Sequence, residues 1–121
     1  MSIKLDLSSM SESTCIFCKI VSGEIPTTFV AQTETTLAFW DIAPLAKVHL
    51  LVIPRAHHKD VAELAARAPQ LLSDVMRTAT ELATKHTNGS FKLQFNTGEE
   101  AGQTVFHAHA HIISDSPKAG S

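Results

Sequence analysis

The longest periodic pattern in the chain begins at Pro69. Leu71, Leu72, Val75, Ala79, Leu82 and Ala83 recur three and four residues apart, which lines them along one face of a helix. Proline suits a first helical position, where its missing N–H costs no hydrogen bond, and Asn88-Gly89 ends the run. A short helix is predicted in CIFCKIVSG, where Ile16, Phe17 and Ile20 share a face and Gly23 stops it. Residues 60–67 add a further short helical turn. Elsewhere the period drops to two. Phe91, Leu93 and Phe95 alternate with Lys92, Gln94 and Asn96, the pattern of a half-buried strand. Thr28 to Gln32 and Thr36 to Trp40 are β-rich runs separated by Thr33-Glu34-Thr35, which reads as a hairpin. His49 to Ile53 is an apolar run closed by Pro54, a strand buried on both faces. VFHAHAHII, residues 105–113, closes the set as a histidine-bearing strand. About five strands, short connections, one long helix and one short helix make an α+β chain on a largely antiparallel sheet.

Composition changes little in this picture. The 121 residues are 44% hydrophobic and 18% charged, enough for one domain with a core of its own. A net charge of -2 gives no electrostatic footprint for nucleic acid or an anionic membrane, and neither is expected as a partner. No apolar run approaches the ~20 residues of a membrane span. The Ser-rich start, MSIKLDLSSMSEST, lacks a basic flank and apolar stretch, so residues 1–14 read as a flexible tail, 15–116 as the domain and 117–121 as a second tail. With only Cys15 and Cys18 a disulfide framework is ruled out, and a reducing, cytoplasmic setting is expected.

Candidate chemistry gathers at the histidine run. On a strand, His107, His109 and His111 share a face at intervals of about 6.7 Å, so the outer two lie about 13 Å apart, too far to hold one zinc together. The three imidazoles therefore divide their roles. A row of exposed polar side chains is the plain alternative, but threonine, serine or lysine serves that purpose equally well. A neutral imidazole offers a bare nitrogen lone pair at pH 7 and attacks phosphorus without a separate base, provided its other nitrogen is held as a donor. The preceding loop, Asn96 to Thr104, has two glycines whose turns let backbone N–H groups converge on an anion; it has no GK[ST] element and is not a P-loop. Cys15-x-x-Cys18 alone admits three readings: a redox pair, two apolar fillers of a short helix, or half a zinc site. No βαβ context supports a thioredoxin-like motif.

HAHAHII, preceded in order by CIFCKIVSGEIP, LAFWDIAP, HLLVIPRAH and NTGEEAGQTVF, carries a resemblance over roughly residues 15–113. The chain resembles the histidine triad (HIT) family, and within it the HINT-type purine nucleoside phosphoramidases, with GQTVF as the discriminating piece. The resemblance implies a HIT-like fold and a hydrolase of the adenosine 5'-monophosphoramidase type. It would cleave the P–N bond of purine nucleoside 5'-phosphoramidates, or the acyl-phosphate bond of aminoacyl-adenylates, with AMP conjugates as substrates. It makes His109 the nucleophile of a covalent nucleotidyl-histidine, oriented by the carbonyl of His107. His111 and His49 would flank the phosphate with Asn96, and the N–H groups near Thr104 and Val105 would hold its oxygens. Thr104 stands where many members have Ser and keeps a hydroxyl near the leaving amine. Asp41 would bind the ribose hydroxyls, and Ile16, Phe17, Ile20, Phe39 and Ile42 the base; without the resemblance these apolar residues read as core.

The resemblance further implies a structural zinc on Cys15, Cys18, His57 and His107, with His58 as a substitute for His57, and no organic cofactor. His86, near a helix end, reads as a favourable surface charge. A homodimer is implied too, with Met76, Thr80 and Ala83 of the long helix toward the second copy while Leu72 and Leu82 face the sheet. Trp40 beside Asp41 departs from the family pattern, as does an end without the Trp-Pro tail of some relatives; base preference and leaving-group selectivity stay open. The rival readings are a dinucleoside polyphosphate hydrolase, against which GQTVF speaks, and a zinc-stabilised nucleotide-binding scaffold.

Overall fold

A computed structural model describes residues 14–119, so most of the proposed N-terminal tail and the last two residues lie outside the described part. Five antiparallel strands form one sheet: β1 (Ala31–Gln32), β2 (Thr36–Trp40), β3 (Val48–Pro54), β4 (Lys92–Gln94) and β5 (Ala110–Ser114), in the order β1-β2-β3-β5-β4. Helix α1 (Ile16–Val21) precedes the sheet, and α2 (Val61–Arg67) and α3 (Pro69–His86) connect β3 to β4. The α+β class is as the sequence predicts. The helical turn near residue 60 is a full short helix, started by Asp60, whose carboxylate accepts the N–H of Glu63 at 2.8 Å.

The two faces of the sheet carry separate cores. Ala38, Leu50, Val52, Ala110 and Ile112 pack with Leu64, Val75, Ala79, Leu82 and Ala83 of the helices. On the opposite face Leu37, Phe39, Leu51 and Ile53 pack with Cys15, Phe17 and Ile20 of α1. The central strand β3 serves both layers, which is why it is apolar throughout.

Four local expectations change. The hairpin's first strand shrinks from Thr28–Gln32 to Ala31–Gln32, because Phe29 turns into the α1-side core. The strand around Leu93 is short: only Lys92–Gln94 pair with β5, although Phe91, Leu93 and Phe95 all pack against the helical core as their alternation predicts. Ala83, expected on a dimer surface, is fully buried: four residues after Ala79, it lies on the stripe that faces the sheet. The histidine run is a strand only from Ala110. Its ladder with β3 ends at the pair Val52–Ala110, and the N–H of Ala108 bonds the carbonyl of His58 at 2.7 Å rather than continuing along β3. His107 and His109 are thereby released from the sheet. Beyond β5 the chain stays tied to the end of α3, where Lys118 N–H donates to the His86 carbonyl at 3.0 Å.

Candidate active site and metal centre

Short contacts fix the tautomers of the histidines. The ring of His109 donates from Nδ1 to the backbone carbonyl of His107 at 2.7 Å, because a carbonyl can only accept. Nε2 of a neutral His109 is then bare. Leu45 N–H donates to Nδ1 of His49 at 3.0 Å, so His49 carries its proton on Nε2. That proton faces Nδ1 of His111 at 3.0 Å and the carboxylate of Asp41 at 3.4 Å. Donation to His111 leaves the His111 proton on Nε2. The site thus presents one bare nitrogen, on His109, and one N–H donor, on His111. Their rings lie 4.9 Å apart.

Burial keeps both rings neutral. Desolvation pushes His111 down from 6.5 to about 4, aided by His109 and His49 and opposed by Asp41. Burial also lowers His109, against the opposing pull of the His107 carbonyl and Asp41.

These rings line a pocket of about 670 Å³. Ile16, Phe17, Ile20, Phe39 and Ile42 line its apolar part, joined by Ile25, Pro26 and Leu51, and Asp41, Thr104 and Val105 stand on its wall. The edge of Phe17 packs on His109, with ring centres 5.1 Å apart. The pocket thus joins a broad apolar lining to a carboxylate and two imidazoles. The N–H groups of Thr104 and Val105 make no hydrogen bond to other described residues, which leaves two donors beside the histidines.

Two expected contacts sit elsewhere. His49 is behind His111 rather than on the pocket wall. Asn96 is also off the wall: its amide donates to the Ala101 carbonyl at 2.7 Å and its oxygen accepts from Gln94 at 3.3 Å, so it braces its own loop. The loop turns at Gly98 and Gly102, with φ of 91° and 94°, a region closed to most side chains. Sequence reasoning missed Gln103, which is 2% exposed. Its oxygen accepts the Gly98 N–H at 2.9 Å, and its nitrogen donates to the carbonyls of Lys59 at 2.7 Å and Val105 at 3.1 Å. It clamps the loop to the turn after β3. A glutamine in a glycine-bearing loop carries no periodic signal that announces this.

That turn bears one member, His57, of a second cluster. Sγ of Cys15 and Cys18 and Nδ1 of His57 and His107 lie within 4.8 Å of one another. Zinc bonds of about 2.3 Å to sulfur and 2.0 Å to nitrogen at a tetrahedral angle put S and N about 3.5 Å apart. The observed values are 3.5 Å for Cys15–His107, 3.5 Å for Cys18–His107 and 3.1 Å for Cys18–His57. Nε2 of His107 donates to the Pro54 carbonyl at 2.8 Å, which leaves Nδ1 bare toward the sulfurs. The four donors fit a tetrahedral zinc. Asp41, His49 and His111 also converge, but the Leu45 N–H puts the His49 proton on the very nitrogen a metal would need. His58 points instead to Glu63, at 3.8 Å, and His86 packs edge-on against Trp40, with ring centres 5.4 Å apart.

A tautomer-fixed imidazole with a bare nitrogen on the wall of an apolar pocket is the arrangement of a histidine-dependent enzyme. Comparison with known proteins narrows that class. A family profile described as "Scavenger mRNA decapping enzyme C-term binding" matches residues 14–121. Protein HitA of Neisseria gonorrhoeae is 43% identical over 101 residues, covering 82% of this chain and 94% of that one. Adenosine 5'-monophosphoramidase hnt1 of Schizosaccharomyces pombe is 39% identical over 100 residues, covering 83% and 73% respectively. A HIT family hydrolase from Clostridium thermocellum superposes with a TM-score of 0.78 at 35% identity, over 89% of this chain and 94% of that one. The chain belongs to the histidine triad family and is a hydrolase of that family. Among the described residues no helix is long and apolar enough to cross a membrane.

Proposed function

We propose that the chain is a purine nucleoside phosphoramidase of the HINT type, which releases AMP from 5'-phosphoramidates and from aminoacyl-adenylates. The observation that carries this reading is the 2.7 Å bond from His109 Nδ1 to the His107 carbonyl, which leaves a bare Nε2 on a ring that lines the pocket. In the first step Nε2 attacks phosphorus and the P–N bond of the substrate breaks. The departing nitrogen takes up one proton by way of His111 and solvent. Water then attacks the nucleotidyl-histidine, its hydroxyl stays on phosphorus, and one proton is released as AMP leaves. The unspent N–H groups of Thr104 and Val105 stabilise the phosphoryl oxygens, and the Thr104 hydroxyl serves the leaving group. Asp41 takes the ribose hydroxyls, and the apolar slot around Phe17 and Phe39 takes the purine.

Zinc on Cys15, Cys18, His57 and His107 has a structural part in this scheme, tying α1 and the turn after β3 to the segment that carries His109. A homodimer formed through a free sheet edge belongs to the same proposal.

Steady-state hydrolysis of adenosine 5'-phosphoramidate beside a diadenosine polyphosphate tests the reading. The phosphoramidate is expected to be strongly preferred, and His109→Ala to lose at least about 10³-fold in kcat while still binding AMP. Preference for the polyphosphate would favour the rival hydrolase, and AMP binding without turnover of either would favour the scaffold.

A further inference from the structure

Cys15 and Cys18 are the only cysteines of the chain, and the first turn of α1 sets them side by side. Cys15 caps the helix, and its sulfur accepts the N–H of Cys18 at 3.3 Å. The two sulfurs lie within 4.8 Å of each other. A rotamer change brings such a pair to the ~2.05 Å of a disulfide, and Cys-x-x-Cys is the spacing of dithiols that oxidise within one chain. Cys15 is buried and Cys18 half-buried, so an oxidant reaches the pair through Cys18.

The pair lies against everything that orients His109. Phe17, between the cysteines in the chain, packs edge-on against His107 and His109, with ring centres 5.9 and 5.1 Å apart. His107 turns Nδ1 to both sulfurs at 3.5 Å, while its carbonyl accepts the His109 ring N–H at 2.7 Å. His57 lies 3.1 Å from the Cys18 sulfur. The next two residues of its turn give the His58 carbonyl to the Ala108 N–H and the Lys59 carbonyl to Gln103. Both histidines of the cluster therefore adjoin bonds that place His109 or the Thr104–Val105 segment.

We propose that Cys15 and Cys18 form a redox switch on catalysis: a peroxide converts them to a disulfide, zinc departs, and His109 loses its alignment. This rests on the zinc site and the phosphoramidase reading above. Zinc holds both sulfurs as thiolates, the form that attacks an oxidant. One thiolate attacks a peroxide oxygen, the O–O bond breaks and hydroxide leaves. The second thiolate attacks the resulting sulfenic sulfur and displaces another hydroxide. Two electrons pass from sulfur to oxygen, and one peroxide ends as two hydroxide ions. The neutral disulfide withdraws two of the four ligands, and the ion dissociates. Nδ1 of the fully buried His107 is then left without its partner, and the ring moves with the carbonyl that holds His109. A dithiol reductant with added zinc reverses the change by thiol–disulfide exchange.

The test takes native protein purified without chelator, reduces and desalts it, and treats it with graded hydrogen peroxide. Freed zinc is read with a chromogenic chelator, the thiols by alkylation and intact mass, and kcat on adenosine 5'-phosphoramidate. About one zinc per chain is expected to appear in step with loss of both alkylatable thiols and of two hydrogens in mass. Over the same range kcat should fall at least about tenfold while circular dichroism shows a folded chain. Dithiothreitol with zinc should restore all three readings, which oxidised methionine would not allow. A disulfide with undiminished kcat, zinc retained after the thiols oxidise, or oxygen added to sulfur without a disulfide overturns the switch. So does an oxidised chain that has unfolded, since activity is then lost with the fold. Protein that carries no zinc before peroxide refutes the zinc site and the switch together and leaves the phosphoramidase reading standing. Zinc release and disulfide formation in protein that never turned over the phosphoramidate refute that reading, and with it the link to catalysis.

Discussion

At the scale of single residues, the chemistry is set by where each imidazole keeps its proton. His109 has the His107 carbonyl on Nδ1, His107 has the Pro54 carbonyl on Nε2, and His49 has the Leu45 N–H on Nδ1. Three backbone groups thus give three histidines different tasks. Burial then depresses His111 from 6.5 to about 4, which has a consequence for stability. The unfolded chain binds the His111 proton below pH 6.5, while the folded chain declines it until about pH 4. Stability from this residue is therefore complete above pH 6.5 and declines as pH falls toward 4. Urea midpoints measured across that window should fall with acid, and less steeply in His111→Asn. An identical slope in the variant would show that the ring is not held neutral.

At the scale of elements, the proposed zinc site joins three segments the sheet alone does not hold: α1, the turn after β3 and the approach to β5. Removing zinc should loosen that junction, and with it the carbonyl that orients His109. Protein purified without chelator is expected to carry about one zinc per chain, and chelation to lower its melting temperature by several degrees. Zinc-free protein with an unchanged melting temperature in Cys15→Ser would make the cysteines simple core. The elements themselves were legible where one physical cause dominates. The stripe from Leu71 to Ala83 needs only helical spacing, and β3 needs only burial on both faces. The run VFHAHAHII was misread as one continuous strand because local propensity sees valine, phenylalanine and isoleucine. It does not see that the ladder with β3 stops at Val52–Ala110 and that the Ala108 N–H goes to the His58 carbonyl. The roles of Gln103 and of the Leu45 N–H depend on contacts 44 residues away and on backbone geometry, neither of which leaves a pattern in the chain.

At the scale of the whole molecule, a five-stranded sheet leaves β1 and β4 as edges. Met76 and Thr80 remain exposed on the outer face of α3, whereas Ala83 does not, so any helix contact with a second copy centres on the first two. Light scattering at micromolar concentration should return about twice the 13.1 kDa of one chain. A single-chain mass that persists on concentration would show that the edges are protected without a partner.

The covalent step itself can be seen directly. Rapid mixing with adenosine 5'-phosphoramidate, acid quench and intact-mass analysis should reveal a transient addition of one adenylyl group. Peptide mapping should place it on His109, and His109→Ala should lack it entirely. Steady hydrolysis with no adduct at any time point, or an adduct on another residue in the active native protein, would contradict His109 as the nucleophile.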